Sequence, residues 1–279
     1  MAELLPFSLS QQEVWLDQRT WPDSTHLNIG GAGFIDGKFD LGVFRQAFQL
    51  LIEECEALRL VPRLDEGGQW LLPAYTPDLP VIQMPASDDP RAAMQAWWQA
   101  WMKTPYLFDG KTPPWRFALL RHSDELHGLS IQFHHLIMDG WGTSRIMQRW
   151  AVLYNALAEG APIPVSGDPG YRRYIEDSLD YRQSAAFEKD QAFWQAQLPA
   201  LPAPLFEMRY RQPCSLSLPE AHNGTVGLAR SAYDRIGLAA AGQGMTLFSY
   251  LVAVLAVYFH RTTRRRDIVI ALPSLNRSG

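Results

Sequence analysis

The chain has 279 residues, of which 47% are hydrophobic and 19% are charged, and its formal net charge at pH 7 is −4. This composition is typical of a globular protein with room for two lobes, and the charge gives no reason to expect a nucleic-acid partner. Two cysteines, Cys55 and Cys214, are too few for a disulfide framework, so we expect reduced thiols in the cytoplasm. The N-terminus lacks a signal-peptide pattern, and the longest apolar run, residues 247–259, is too short to span a membrane.

Strand and helix patterns alternate over the first 160 residues. A capping box at Ser10–Glu13 predicts a helix to about residue 19, and Asp40 is expected to cap an amphipathic helix that reaches residue 58. A further helix is expected from Asp89-Pro90 onwards. After a Gly-Trp-Gly sequence, Thr143 or Ser144 is expected to begin a helix to about residue 158. Strands are expected at residues 28–35, 58–64, 69–72, 115–121 and 126–135.

Residues 159–170, rich in glycine and proline, are the best linker candidate. Two domains are therefore expected, 1–170 and 171–279, in an α/β or α+β two-layer fold. The second segment is short for a lobe with its own sheet, so we expect the chain to be part of a longer protein. Its predicted elements are helices at 172–182, 186–197, 232–241 and 245–260 and strands at 224–229 and 267–273.

Residues 133–142, Phe-His-His-Leu-Ile-Met-Asp-Gly-Trp-Gly, are the stretch least explained by packing. Strand alternation predicts that His135 continues a core-facing stripe with Ile131 and Phe133, whereas His134 lies on the opposite face. An imidazole there titrates near neutrality and can hold or pass a proton. The N–H groups at the start of the following helix are suited to stabilise an oxyanion. The imidazole and these N–H groups together favour acyl transfer.

Spacing alone leaves three interpretations of the histidine pair: a catalyst, a hydrogen-bonded core residue and a metal site. The metal site is least favoured, because adjacent strand residues point to opposite faces and no other ligand cluster is present. The sequence has no nucleophile elbow and no phosphate-binding or dinucleotide glycine loop, so direct attack of an amine or hydroxyl on an acyl group is preferred. Asp139 is expected to be structural, because a carboxylate at a strand–helix junction commonly pairs with an arginine.

These motifs make the chain resemble a condensation domain of nonribosomal peptide synthetases, within the superfamily related to chloramphenicol acetyltransferase. Residues 134–140 match the family's His-His-x3-Asp-Gly motif in full, and residues 8–15 resemble its first motif, Ser-x-Ala-Gln-x-Arg-x-Trp. Residues 56–59 resemble the end of its Arg-His-Glu-x-Leu-Arg motif, although Glu54 and Cys55 stand in place of Arg-His. Residues 267–277 resemble its strand ending in Asn-Arg. The matches are colinear along the chain, which is more specific than the central motif alone.

The resemblance implies two acetyltransferase-like lobes in a V arrangement, the N-terminal one complete and the C-terminal one partial, with a tunnel between them. It implies amide formation between a donor acyl or aminoacyl thioester and an acceptor amine, carried on the phosphopantetheine of carrier proteins, with no cofactor bound directly. His135 and Gly140 are the implied catalytic residues. His134, Asp139 and Arg277 are the implied structural residues of the site, with Asp139 paired to Arg277. Implied partners are donor and acceptor carrier proteins and an adjacent adenylation domain, with no nucleic acid and no membrane.

Two alternative hypotheses stay open. One is chain-initiating N-acylation with an acyl-CoA or acyl-carrier donor. The other is a noncatalytic recruitment domain, although the intact histidine motif speaks against it. Complete family members are longer, so the tunnel of an isolated 1–279 segment is expected to be open, which leaves its own activity in question.

Overall fold

The computed structural model describes residues 3–63, 65–200, 202, 204–205 and 226–272. The chain is divided into two compact units, Met1–Phe187 and Glu188–Gly279. The expected lobe boundary after residue 170 stays a prediction. Helices and strands alternate in the first unit, as the sequence predicts for a mixed α and β fold.

The first unit contains seven strands among its described residues, and most follow the predicted pattern. They are β1 Glu3–Pro6, β2 Asn28–Asp36, β3 Leu60–Arg63, β4 Gly68–Leu71, β5 Val81–Gln83, β6 Trp115–Arg121 and β7 Leu126–His134. One sheet has the order β1–β4–β3 and the other the order β2–β7–β6–β5. The two predicted hairpins, β3–β4 and β6–β7, are confirmed as antiparallel pairs. Strands β1 and β5 were not predicted, because four and three residues are too short for a period-2 pattern to stand out.

The predicted helices of the first unit are also confirmed, with changes at their ends. They are α1 Leu9–Thr20, α2 Leu41–Glu54, α3 Pro90–Met102, α4 Gly140–Glu159 and α5 Tyr171–Arg182. A short 3₁₀ helix, Glu56–Arg59, follows α2. The Ser10–Glu13 capping box is wrong. Ser8 caps α1 instead, because its hydroxyl accepts the N–H of Gln11 while the Gln11 side chain accepts the N–H of Ser8.

An aromatic core joins helices α2 and α4 to the four-stranded sheet. Trp150 of α4 stacks on Phe44 and Phe48 of α2, with ring centroids 4.5 and 4.6 Å apart, and meets Phe117 of β6 edge-on at 5.4 Å. Phe117 in turn packs edge-on against Phe133 of β7 at 5.4 Å. Each buried ring removes a large apolar surface from water, so this cluster fixes α4 relative to β7. The segment that joins β7 to α4 is thereby held at both ends.

The opposite face of β7 is buried as well, under α3 and the segment that follows it. Ser130, Gln132 and His134 are each no more than 1% exposed. The amide of Gln132 donates to the carbonyl oxygens of Trp101 and Met102 at the end of α3. Strand β7 is therefore covered on both faces, and the polar residues that alternate along it belong to the interior.

The second unit is helical where it is described. Its helices are α6 Ala185–Gln197, which begins just before the division between the units, α7 Arg230–Gly242 and α8 Leu247–Thr263. The predicted strands are wrong for residues 226–229 and 267–272, and their remaining residues lie outside the described part. A strand needs a neighbour to satisfy its backbone, and residues 226–272 contain no other strand that could pair with them.

None of the described helices is by itself long and apolar enough to cross a membrane. Helices α7 and α8 together have the length and composition of a span, but the pair is bent by 92°.

Candidate functional site

The structure places the two histidines differently from the strand pattern. Strand β7 ends at His134, which is 1% exposed, whereas His135 begins a turn and is exposed. The prediction that His135 continues the core-facing stripe is therefore wrong. The N–H of His135 still donates to the carbonyl of Leu27 at 2.8 Å, but the chain then turns toward α4 and the side chain leaves the interior. The imidazole that is accessible to a substrate is that of His135.

His134 is a neutral residue of the interior. Its Nδ1 accepts the N–H of Leu136 at 3.0 Å, so the proton of the neutral ring is on Nε2, which donates to Oε1 of Gln18 at 2.9 Å. The rings of Tyr106 and Phe108 approach it edge-on. Burial, and to a lesser extent the neighbouring His135 and His26, lower the pKa of His134 from 6.5 to about 3. Both ring nitrogens are occupied, which leaves none for a substrate.

The low pKa of His134 predicts a loss of stability in mild acid. The unfolded chain takes up this proton near pH 6.5, whereas the folded chain does not until near pH 3, so stability present at pH 7 falls as the pH falls. Between pH 7 and pH 5 the free energy of unfolding should drop by about 2 kcal/mol from this residue. Burial also lowers the pKa of His127, which adds to the loss in the same direction.

Urea unfolding of the first unit at pH 7 and pH 5 measures this effect. In His134→Gln the difference between the two pH values should shrink by about 2 kcal/mol. The matched control is Gln12→Met on α1, which removes no titrating group and should keep the wild-type difference. An undiminished difference in His134→Gln contradicts the assignment of a buried neutral imidazole.

Buried side chains hold the loop that carries His135. The N–H of Leu136 is bound by His134, and its carbonyl oxygen accepts Nε2 of Gln11 at 2.9 Å. Gln11 is 3% exposed and exchanges hydrogen bonds of 2.8 Å with the amide of Gln69 on β4. The N–H of Ile137 donates to the carbonyl of His134 at 3.1 Å. Hydrogen bonds from these neighbouring residues therefore fix the backbone that carries the exposed imidazole of His135.

Asp139 organises the start of α4. Its Oδ1 accepts the N–H of Gly142 at 2.6 Å, and its carbonyl oxygen accepts both the N–H and the hydroxyl of Thr143. Asp139 is thus the N-cap, and the prediction that Thr143 or Ser144 begins this helix is wrong, because the carboxylate already caps it from an earlier position. A Cβ on Gly142 would lie 2.7 Å from Sδ of Met138, so a glycine suits this close turn.

Gly140 is the first residue of α4 and is exposed, like His135. The N–H groups of a helix's first turn have no acceptor within the helix and carry the positive end of its dipole. The short segment 135–140 therefore presents an imidazole and a helix N-terminus together. Chemically, such a pair can orient or deprotonate a nucleophile and stabilise negative charge on a carbonyl oxygen.

Arg277, expected to pair with Asp139, and Cys214 both lie outside the described residues. Cys55 follows α2, and burial raises the pKa of its thiol to about 11, so it is not a reactive nucleophile. Among the described residues, no group of three or more His, Cys, Asp or Glu side chains is arranged to hold a metal ion.

The Glu56–Arg59 motif supports the scaffold rather than the site. Oε2 of Glu56 accepts the N–H of Arg172 at the start of α5 at 2.9 Å. The guanidinium of Arg59 donates to main-chain carbonyls at the end of α2 and after β4, including those of Ile52 and Leu72. Glu56 thus satisfies the start of α5, and Arg59 ties the end of α2 to the segment after β4.

Sequence reasoning missed Gln18 and Gln69. A single polar residue such as Gln18 on a helix or Gln69 on a short strand gives no periodic signal that marks it as buried.

Comparison with known proteins identifies the family. The family model described as "Condensation domain" matches residues 1–279. The chain is 30% identical to isonitrile lipopeptide synthase of Streptomyces coeruleorubidus over 100% of this chain and 19% of that protein. It is 29% identical to a dimodular nonribosomal peptide synthase of Bacillus subtilis over 99% of this chain and 12% of that protein.

A solved structure agrees over nearly the whole chain. A mutant starter condensation domain of rhizomide synthetase RzmA, in complex with C8-CoA, is 29% identical and superimposes with a TM-score of 0.84. The match covers 99% of this chain and 62% of that one, so the chain spans under two thirds of the solved domain and under a fifth of both synthases. The mixed α and β fold is that of condensation domains. The chain belongs to the condensation domain family of nonribosomal peptide synthetases.

Proposed function

We propose that this chain forms the active-site part of a condensation domain that makes an amide bond between a carrier-bound donor thioester and an acceptor amine. The observation that carries the proposal is the arrangement of segment 135–140. His135 is exposed on a loop with fixed backbone groups, beside the N-terminus of α4, while His134 is neutral and buried.

The reaction balances with groups that this segment supplies. The acceptor nitrogen attacks the thioester carbonyl carbon, the C–N bond forms, the C–S bond breaks, and the amine proton ends on the released thiol of the donor carrier. The imidazole of His135 accepts the amine proton or orients the amine by accepting its hydrogen bond. The N–H of Gly140 donates to the carbonyl oxygen as negative charge develops on it.

The remaining site residues have structural roles in this proposal. His134 orients the loop, and Asp139 caps α4 and pairs with Arg277. No cofactor is bound directly, since the reacting acyl groups arrive on phosphopantetheine. Donor and acceptor carrier proteins and an adjacent adenylation domain are the partners that the synthetase relatives suggest. We place the reaction in the cytoplasm, as expected for an assembly line fed by carrier proteins.

A second candidate donor is an acyl-CoA. The solved starter condensation domain with a TM-score of 0.84 holds C8-CoA, and this favours N-acylation of an aminoacyl carrier as the specific reaction. The bond changes are the same, with coenzyme A as the released thiol.

A donor comparison tests both forms of the proposal. The 1–279 chain and the complete product of its gene are mixed with an aminoacyl acceptor carrier and with either octanoyl-CoA or an aminoacyl donor carrier, and the acceptor carrier is analysed by intact-protein mass spectrometry. Product from octanoyl-CoA alone supports N-acylation, and product from the donor carrier alone supports elongation. If the complete gene product forms no amide with either donor, the catalytic proposal is wrong and the recruitment hypothesis is favoured.

A further inference from the structure

Gln18 of α1 is a buried side chain for which the family motif gives no role. It is 6% exposed, and its amide makes three hydrogen bonds. Nε2 donates to the carbonyl oxygens of Trp21 at 3.0 Å and Pro22 at 2.9 Å, and Oε1 lies 2.9 Å from Nε2 of His134. The two carbonyls can only accept, so they fix which end of the amide faces the histidine.

This orientation selects one tautomer of His134. Because Oε1 of Gln18 can only accept, Nε2 of the neutral ring must carry the proton, and Nδ1 must present its lone pair. That lone pair accepts the N–H of Leu136 at 3.0 Å. In the other tautomer, the Nδ1–H of His134 would face the N–H of Leu136. The lone pair of Nε2 would then face Oε1 of Gln18.

The N–H of Leu136 belongs to the peptide group that follows His135. The peptide group before His135 is held by its N–H, which donates to the carbonyl of Leu27. Hydrogen bonds thus fix both peptide planes that flank an exposed side chain, and one of them depends on the tautomer of His134. We propose that Gln18 is a positioning residue, which sets the tautomer of His134 and through it the orientation of the His135 imidazole. The catalytic consequence rests on the proposed function.

Three variants separate this role from a simple packing role. Gln18→Met keeps the volume and removes all three hydrogen bonds. Gln18→Glu keeps an acceptor for Nε2 of His134 and loses both donations to Trp21 and Pro22. The matched control is Gln12→Met on the same helix, which breaks the hydrogen bond from the exposed Gln12 side chain to the carbonyl of Phe7.

Nitrogen-15 NMR of the histidine rings reads the tautomer directly, without any activity. The wild-type protein, Gln12→Met and Gln18→Glu should show His134 protonated at Nε2 with an unprotonated Nδ1. Gln18→Met should show ring signals shifted toward a mixture of tautomers, and hydrogen exchange of the Leu136 N–H should be about tenfold faster, as expected for the loss of a buried hydrogen bond. In the amide-formation assay, the kcat of Gln18→Met should fall about tenfold, whereas the KM values for donor and acceptor should change less than about twofold. Gln18→Glu should recover most of the lost rate.

An unchanged His134 tautomer in Gln18→Met overturns the proposal, and so does a Gln18→Glu variant that behaves like Gln18→Met in the NMR spectra. If Gln18→Met does not fold, Gln18→Ala, which also removes the acceptor, takes its place, and an unchanged His134 tautomer there overturns the proposal. A wild-type protein that shows the expected tautomer but forms no amide counts against the proposed function and leaves the role of Gln18 in the loop supported.

Discussion

Replacing His135 with alanine is expected to lower the rate of amide formation at least about 100-fold, because general acid–base groups contribute on the order of 10²- to 10⁴-fold. The same change should barely affect stability. The side chain is exposed, and the loop is held by main-chain groups and by His134 and Gln11, none of which the substitution removes. A large loss of rate with an intact fold is the combination that distinguishes a catalytic histidine from a structural one.

The measurement compares initial rates and melting temperatures of the wild-type protein and its variants. His260→Ala, at the exposed end of α8, is the matched control and should keep the wild-type rate. His135→Ala should melt within about 2 °C of the wild-type protein, since exposed substitutions change stability by about 0.5 kcal/mol or less. A His135→Ala variant that retains more than about half of the rate would show that this imidazole is not catalytic.

The pH dependence of the rate tests whether the reaction needs a neutral His135 imidazole. Whether the ring removes the amine proton or orients the amine by accepting its hydrogen bond, the rate must fall when the ring is protonated, and this dependence should be absent in His135→Ala. Identical pH profiles in the wild-type protein and in His135→Ala would show that no step of the reaction needs this lone pair. His134 does not contribute to this profile near neutrality, because burial lowers its pKa to about 3.

The histidine motif shows how far sequence patterns reach in this protein. Strand alternation correctly separated His134 from His135 but placed the wrong one inside. The pattern assumes that the strand continues to residue 135 and that only one face is buried. In the structure β7 ends at His134, and α3 with its following segment covers the second face, where Ser130 and Gln132 are buried too. Such coverage arises from contacts between distant segments, which a local pattern cannot contain.

Local signals were most reliable where local energetics decide the structure. The N-cap of α2 was predicted correctly, because the Asp40 carboxylate accepts two nearby N–H groups whatever surrounds it. The caps of α1 and α4 were misplaced. At α1, Ser8 and Ser10 both satisfy a capping pattern, and at α4, Asp139 is the cap although Thr143 was also a candidate. The buried Gln11–Gln69 pair joins residues 58 positions apart, so no local pattern predicts it.

The second large effect is expected at Gly30, on the edge strand next to the site. Gly30 pairs with Gln132 of β7, and a Cβ at this position would overlap the carbonyl oxygen of Ile131 and lie 3.0 Å from Cα of Gln132. Both are backbone atoms, so no change of rotamer can relieve the overlap. Gly30→Ala must push β2 away from β7, and we expect a destabilisation of about 3 kcal/mol.

Gly31→Ala is the matched control, one residue along the same strand, where an added Cβ meets nothing within 4 Å. It should change the free energy of unfolding by less than about 1 kcal/mol, since alanine costs the chain less entropy than glycine. Thermal unfolding should therefore show a melting temperature roughly 6–12 °C lower for Gly30→Ala than for Gly31→Ala. Equal melting temperatures would mean that β2 accommodates the methyl group without strain.

Gly30→Ala also probes the link between the edge strand and the catalytic loop. Asn28 pairs with His134 at the end of β2, and the carbonyl of Leu27 accepts the N–H of His135. Displacing β2 should lengthen that hydrogen bond, so hydrogen exchange at the His135 N–H should accelerate more than exchange at the distant β6–β7 pairs. Amide formation should then fall even at temperatures where Gly30→Ala is fully folded. If the rate instead follows only the folded fraction, the edge strand stabilises the fold without positioning His135.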